Sequence, residues 1–238
     1  MAYSLRLKAI MKVAAIVPAA GKGRRFKSRL DKPYIKLRGR PILAHTLLRL
    51  SKNKYITQVI VAVNKNKLQK ARREIINKYG IKKARLVSGG GERKDSVRNA
   101  LKNISCDIDY VLIHDGIRPF ITDDLIESSL KAAQRFGASV AAVPVKPTLK
   151  RIDKKGRIVS TPDRRDFWEA QTPQVFRRDL ILRAYREANR KKINFTDDSM
   201  LVELLGVKPK VVMGSYRNIK ITTKEDLELA KILIKNEI

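Results

Sequence analysis

Apolar runs of strand length alternate with helix-spaced segments along most of this chain, and that alternation restricts the fold more than any other feature. Residues 12–18 (KVAAIVP) read as a buried strand followed by a glycine-rich basic loop. In residues 41–50, Ile42, Leu43, Thr46, Leu47 and Leu50 recur at helical spacing, with a proline suited to a first turn. Strand patterns follow at 57–63, 84–87, 110–114 and 139–145, separated by helical patterns at 66–79, 93–104 and 125–136. Helices are expected near 177–190 and 197–205, then a strand at 210–213 and a closing helix at 224–235. Strands that alternate with helices predict an α/β fold around a mostly parallel sheet.

Residues 146–168 break this rhythm. Apolar positions alternate there on either side of the turn signal Asp153-Lys-Lys-Gly156, which predicts an antiparallel hairpin protruding from the sheet. No repeat or linker divides the rest, so residues 13–238 are expected to form a single domain carrying this arm, with residues 1–12 as an N-terminal extension and Met11 as a possible natural start.

The remaining composition narrows the class. A hydrophobic share of 43% is enough for a core. No apolar run reaches the length of a membrane helix, and no apolar stretch follows Arg6 and Lys8 to make a secretory signal. A single cysteine, Cys106, excludes an internal disulfide and a Cys-cluster zinc site, and the expected location is a reducing cytoplasm. Lys and Arg number 53 against 23 Asp and Glu, a formal net charge of +30. That excess fits anionic partners, but it is spread along the whole chain. With 6% aromatic residues and no RNA-binding motif, specific nucleic-acid recognition is not expected.

The chemistry is concentrated in loops. Pro18-Ala-Ala-Gly-Lys-Gly-Arg-Arg-Phe26 follows the first strand, where small residues let backbone N–H groups approach an anion that Arg24 or Arg25 can neutralise. It is neither a dinucleotide fingerprint nor a Walker A loop. Lys32 adds a second cation. Gly89-Gly-Gly-Glu-Arg-Lys-Asp-Ser96 precedes a helix, where Asp95 or Ser96 could cap. His114-Asp115-Gly116-Ile-Arg118-Pro119 lies at the carboxyl end of a strand, where open α/β sheets bind ligands, and Asp115 could hold a metal or a ribose or cap a turn. Gln171-Thr-Pro-Gln174 and Thr196-Asp-Asp198 read as polar loops and caps, and Lys220 as a lysine on a short strand. His45 and His114 belong to no nucleophile–base pattern. Glycines, cations and one or two carboxylates suit phosphoryl or nucleotidyl transfer.

In this order the clusters PAAGKGRR, DKPY, GGGERKDSV, HDGIRP, PTLK, W…QTPQVF, FTDD and NIKITTKEDLELA resemble the 2-C-methyl-D-erythritol 4-phosphate cytidylyltransferases, from Val13 to about Leu233. The resemblance implies a Rossmann-like three-layer domain whose hairpin arm clasps a partner in a homodimer. It implies that Arg25, Lys32 and Lys220 act in catalysis. It places Ala19, Ala20, Gly21, Gly23, Gly90, Gly91, Ser96, Asp115 and Gly116 about CTP, with Arg118, Thr148, Arg164, Thr196 and Lys220 about the polyol phosphate. Thr148 and Arg164, on the arm, would serve the neighbour's site. Mg²⁺ or another divalent cation is the implied cofactor, its protein ligands unassigned. The chain departs from the family pattern at Asp31-Lys32-Pro33, at Pro147, at Gly116 and at Ser199-Met200.

Three other readings stand beside this one. A ribitol-5-phosphate cytidylyltransferase shares the QTPQ block, but usually opens Ala-Gly-Gly and lacks an Arg-x-x-aromatic-Trp arm. Ala19-Ala20-Gly21 and Arg164-Arg-Asp-Phe-Trp168 therefore favour methylerythritol phosphate. A sugar-1-phosphate nucleotidyltransferase leaves HDGIRP and QTPQ unexplained, and a basic RNA-binding module explains little beyond the charge.

Overall fold

The computed structural model describes residues 11–21 and 32–235. Seven strands form the central sheet: β1 (Val13–Pro18), β4 (Ile56–Val63), β5 (Ala84–Ser88), β6 (Tyr110–Ile113), β7 (Ala138–Pro144), β10 (Trp168–Arg177) and β11 (Lys210–Met213). Their spatial order is β11-β7-β10-β6-β1-β4-β5. All neighbouring pairs are parallel except those of β10, which runs antiparallel between β6 and β7. The α/β expectation therefore holds.

Burial explains why β1 reads as an unbroken apolar run. Successive side chains point to opposite faces of a strand, and both faces here are covered. Val13, Ala15 and Val17 share one core with Leu43, Ala44 and Leu47 of α1 (Ile42–Lys52) and with Leu130 and Ala133 of α4 (Asp123–Phe136). Ala14 and Ile16 pack on the other face with Val97 and Ala100 of α3 (Arg93–Leu101) and Leu180, Ile181 and Ala184 of α5 (Arg178–Arg190). A small third core joins Leu37, Ile42, Phe120 and Ile221 to Ala230 and Ile234 of α7 (Lys224–Lys235). No helix among the described residues is long and apolar enough to cross a membrane.

Three expectations need correction. Lys220 was expected on a short strand, but residues 219–222 form an irregular segment between the last strand and the closing helix. The helix expected at 66–79 is a composite: a 3₁₀ turn at Lys65–Lys67, a short α2 (Leu68–Ala71) and a π-helical stretch at Arg72–Asn77. The Gln171–Gln174 block is not a polar loop. It lies inside β10, almost wholly buried, at a bulge where a proline is tolerated. Its polar groups have tertiary partners that no local pattern announces. Gln171 Nε2 donates to the Ser215 carbonyl at 2.9 Å, and Gln174 Nε2 donates to Asp197 Oδ2 at 2.7 Å. A short hairpin of β2 (Lys36–Leu37) and β3 (Arg40–Pro41), unforeseen from the sequence, precedes α1.

The arm is present as a separate two-stranded sheet of β8 (Arg151–Ile152) and β9 (Ile158–Ser160). Its turn is held by Asp153, whose Oδ1 accepts from the N–H groups of Lys155 and Arg157, and Gly156 supplies the left-handed φ of +78°. Ile152, Ile158 and Val159 are all at least 60% exposed, so the outer part of the arm leaves its apolar side chains uncovered by its own domain.

Candidate active site

The chain runs from β1 outward to β4 and β5, then crosses back to place β6 on the other side of β1. That reversal opens a crevice beyond the carboxyl ends of the strands, the usual ligand position in open α/β sheets. A cleft of about 370 Å³ lies there. Its walls are the loop after β1 (Ala19, Ala20, Gly21), the loop after β5 with the start of α3, the end of β6 at Asp115, and Lys32 and Lys220.

Close backbone approach shapes the two glycine loops. A Cβ on Gly89 would stand 2.3 Å from the Cβ of Ala20, and one on Gly90 2.1 Å from that of Asp95, so neither position has room for a side chain. Ser96 fastens the second loop from below: its hydroxyl accepts from Gly90 N–H at 3.1 Å and donates to the Glu92 carbonyl at 3.2 Å. The capping is done by Glu92 and Asp95 through a reciprocal capping box. Asp95 therefore caps, and Ser96 shapes the cleft.

Opposite charges interlock at the floor. Asp115 Oδ1 lies 3.0 Å from Arg93 Nε, and Oδ2 lies 2.8 Å from Lys220 Nζ. Burial alone would raise the Asp115 carboxyl, but Arg93, Lys220 and Arg118 outweigh it and hold the group well below the usual carboxylate range. Arg93 Nη1 reaches onward to Asp198 Oδ2 at 2.7 Å. Burial would lower the Arg93 guanidinium, and these two carboxylates more than reverse that. Lys32, buried in the cleft wall within a 3₁₀ turn (Lys32–Tyr34), donates to the Thr222 carbonyl at 2.5 Å. The altered Asp31-Lys32-Pro33 loop still delivers its lysine to the cleft.

The expected residues divide by place. Ala19, Ala20, Gly21, Lys32, Gly90, Gly91, Ser96, Asp115 and Lys220 line the cleft together. Arg118 stands behind Asp115, buried, with Nη1 donating to the Asn218 carbonyl at 2.7 Å. Gly116 lies beneath the first loop, where a Cβ would press on Leu43 at 2.9 Å and Val17 at 3.1 Å; it is not part of the cleft surface. Thr196 is exposed and outside the lining. Thr148 and Arg164 are exposed on the arm, away from their own chain's cleft, with Arg164 Nη1 donating to the Lys146 carbonyl. Gly23 and Arg25 lie outside the described residues. Arg93 and Asp198 carry the central ion pairs, a role that the sequence reading of the Gly89–Ser96 cluster and of Thr196-Asp-Asp198 as caps did not assign them.

His114 is structural. Nε2 lies 2.9 Å from the Arg118 carbonyl, and Nδ1 lies 3.1 Å from the Thr172 hydroxyl, which in turn accepts from Asp115 N–H at 3.1 Å. With Nε2 protonated, all three groups are satisfied and the Asp115 loop is fixed. Burial depresses the imidazole to about 4 from an ordinary 6.5. The unfolded chain therefore takes up this proton first as pH falls, and the stability due to neutral His114 is lost between pH 6.5 and 4. The expected loss approaches about 3 kcal/mol, at about 1.4 kcal/mol per pH unit. Urea unfolding at pH 7 and pH 4.5 checks this: His114→Asn should show a smaller drop between the two pH values than the wild type.

Among the described residues no group of three or more His, Cys, Asp or Glu could hold a metal ion. The carboxylates at the cleft are Asp115, with both oxygens facing cations, and Glu92, engaged in the capping box and beside Lys94. Among the described residues these two carboxylates are the acidic side chains at the cleft, and such a donor set fits a Mg²⁺ ion held largely by substrate phosphate oxygens and water.

Comparison with known proteins agrees with this geometry. The family model described as 2-C-methyl-D-erythritol 4-phosphate cytidylyltransferase matches residues 13–236. A 2-C-methyl-D-erythritol 4-phosphate cytidylyltransferase of Alkaliphilus metalliredigens is 47% identical over 217 residues, covering 91% of this chain and 90% of the relative. Among solved structures, the 4-diphosphocytidyl-2C-methyl-D-erythritol synthase of Anaerococcus prevotii superposes with a TM-score of 0.83 at 33% identity, over 95% of this chain and 99% of the other. The 2-C-methyl-D-erythritol 4-phosphate cytidylyltransferase of Thermus thermophilus gives 0.80 at 32% identity, over 94% and 100%. With its fold and most of its length shared in this way, the chain belongs to the 2-C-methyl-D-erythritol 4-phosphate cytidylyltransferase family.

Proposed function

We propose that the cleft binds CTP and 2-C-methyl-D-erythritol 4-phosphate side by side and transfers CMP between them. One phosphate oxygen of the polyol phosphate bonds to the α-phosphorus of CTP, the bond from that phosphorus to the β-phosphate bridge breaks, and pyrophosphate leaves. The observation that carries this reading is the meeting of two glycine loops with Lys32, Arg93 and Lys220 around Asp115 in one crevice. These groups suit the approach of two polyanions, whose mutual repulsion is the principal barrier. The attacking phosphate is already largely dianionic near neutral pH, so a protein base is not required.

In this reading Ala19, Ala20, Gly21, Gly23, Gly90, Gly91 and Ser96 hold CTP, with backbone N–H groups toward the triphosphate and the base. Arg25, Lys32 and Lys220 stabilise charge at the α-phosphorus and on pyrophosphate. Asp115 keeps the Lys220 ammonium in place and faces the sugar hydroxyls; Arg118, buried behind Asp115, backs the polyol phosphate side, and Thr196, outside the lining, would reach that side only at its rim. Mg²⁺, carried in on the triphosphate, supplies charge neutralisation there.

The arm joins two copies in a homodimer, covering Ile152, Ile158 and Val159 and bringing Thr148 and Arg164 to the neighbouring cleft. Their exposure and their absence from the lining of their own cleft support this arrangement. The reaction belongs to the cytoplasm, where nucleotide and phosphorylated acceptor are available.

Steady-state pyrophosphate release with CTP, UTP, ATP and GTP tests the nucleotide side. A pocket shaped for one pyrimidine ring should turn over CTP and reject purines; equal or faster turnover with ATP or GTP contradicts it.

A further inference from the structure

We propose that Asp198 is a positioning residue for this reaction, acting through Arg93 to set Asp115 and Lys220 at the cleft floor. The proposal rests on the cytidylyl-transfer reading given above. Asp198 is completely buried and absent from the cleft lining, so it has no direct path to a substrate. Its Oδ2 lies 2.7 Å from Arg93 Nη1, and its Oδ1 accepts the Tyr185 hydroxyl. Arg93 Nε then faces Asp115 Oδ1 at 3.0 Å, and Asp115 Oδ2 faces Lys220 Nζ at 2.8 Å. Charges alternate along this line, from a buried anchor to the cation at the cleft.

Capping does not account for Asp198. The start of α6 (Asp198–Glu203) is capped by Asp197, whose Oδ1 accepts from Met200 N–H at 3.1 Å. Asp198 instead turns inward toward α3 and α5. The consequence for Arg93 is geometric. Its guanidinium is held at Nε by one carboxylate and at Nη1 by another, which fixes both position and plane. With Asp198 neutral, Arg93 keeps one anchor and can pivot about it, and Asp115 loses the rigid partner that holds it against Lys220. Arg93 is also the first residue of α3, directly after the second glycine loop, so the same anchor steadies that wall.

The test is a kinetic double-mutant cycle on the full chain with CTP and 2-C-methyl-D-erythritol 4-phosphate: wild type, Asp198→Asn, Arg93→Lys and the pair, each with kcat, KM and melting temperature. Asp198→Asn keeps the volume and an acceptor for Tyr185. It should lower kcat by about tenfold or more, since small misplacements at a reacting centre are costly. KM for CTP should change less than kcat does. Because Asp198 acts through Arg93, the double variant should have a kcat no lower than the worse single one. A double variant that falls by the product of the two single losses, or an Asp198→Asn enzyme with wild-type kcat, overturns the proposal. Should Asp198→Asn fail to fold, Tyr185→Phe removes only the hydroxyl that orients Asp198; it should lower the melting temperature by the loss of one buried hydrogen bond and, while still folded, lower kcat about threefold; wild-type kcat there overturns it equally. A wild type inactive with CTP would overturn the reading of the reaction and this role with it. An active wild type with unaffected variants overturns this role alone.

Discussion

Replacing Lys32 with alanine is expected to lower kcat by at least about 100-fold while KM for either substrate changes far less. The reason is the kind of charge that Lys32 meets. A cation that binds substrate and transition state equally changes KM, whereas one aimed at charge that develops during transfer changes kcat. Lys32 is buried in the cleft wall, and its ammonium is already located by the Thr222 carbonyl, so it needs little reorganisation as pyrophosphate departs. Loss of one such preorganised group costs about 3–4 kcal/mol in transition-state stabilisation. A Lys32→Ala variant that keeps near-wild-type kcat would reduce this lysine to a structural tie between the 3₁₀ turn and the segment before α7.

Arg164→Ala is expected to abolish most activity although Arg164 lies outside its own chain's cleft. An arginine is suited to bidentate capture of a phosphate, and the arm carries it outward with three exposed apolar side chains near its tip. An isolated two-stranded hairpin is marginal in water, and docking on a second copy would supply the contacts it lacks. Mixing separately inactive Lys32→Ala and Arg164→Ala chains gives a sharp expectation. In a heterodimer one cleft receives both lesions and the other neither, so random pairing restores about a quarter of wild-type sites under two-fold symmetry. A mixture that stays inactive while heterodimers form would mean that Arg164 acts within its own chain.

The parts of the molecule that were readable from sequence are those in which local pattern and tertiary role coincide. β1 is buried on both faces, so its apolar run stands out, and the glycines at 89 and 90 mark places with no room for a Cβ. The arm announced itself through Asp153 and Gly156, whose turn chemistry is local. The unreadable parts depend on partners distant in the chain. Gln171 and Gln174 look like loop residues until Ser215, Asp197 and Ser199 satisfy them inside a strand. Arg93 looks like one more surface cation in a chain of net charge +30, and only the fold brings Asp115 and Asp198 to its two sides. Thr196-Asp-Asp198 was half readable: Asp197 is the helix cap that the pattern predicts, and Asp198 is the buried anchor that it does not.

Transfer of CMP to a specific polyol phosphate is tested most directly by pyrophosphate release from CTP with each candidate acceptor supplied separately. With 2-C-methyl-D-erythritol 4-phosphate, release should be rapid and stoichiometric, with a cytidine diphosphate-linked product of the matching mass. Ribitol 5-phosphate and hexose 1-phosphates should give far slower release. Turnover with ribitol 5-phosphate or a hexose 1-phosphate equal to or above that with 2-C-methyl-D-erythritol 4-phosphate would contradict it.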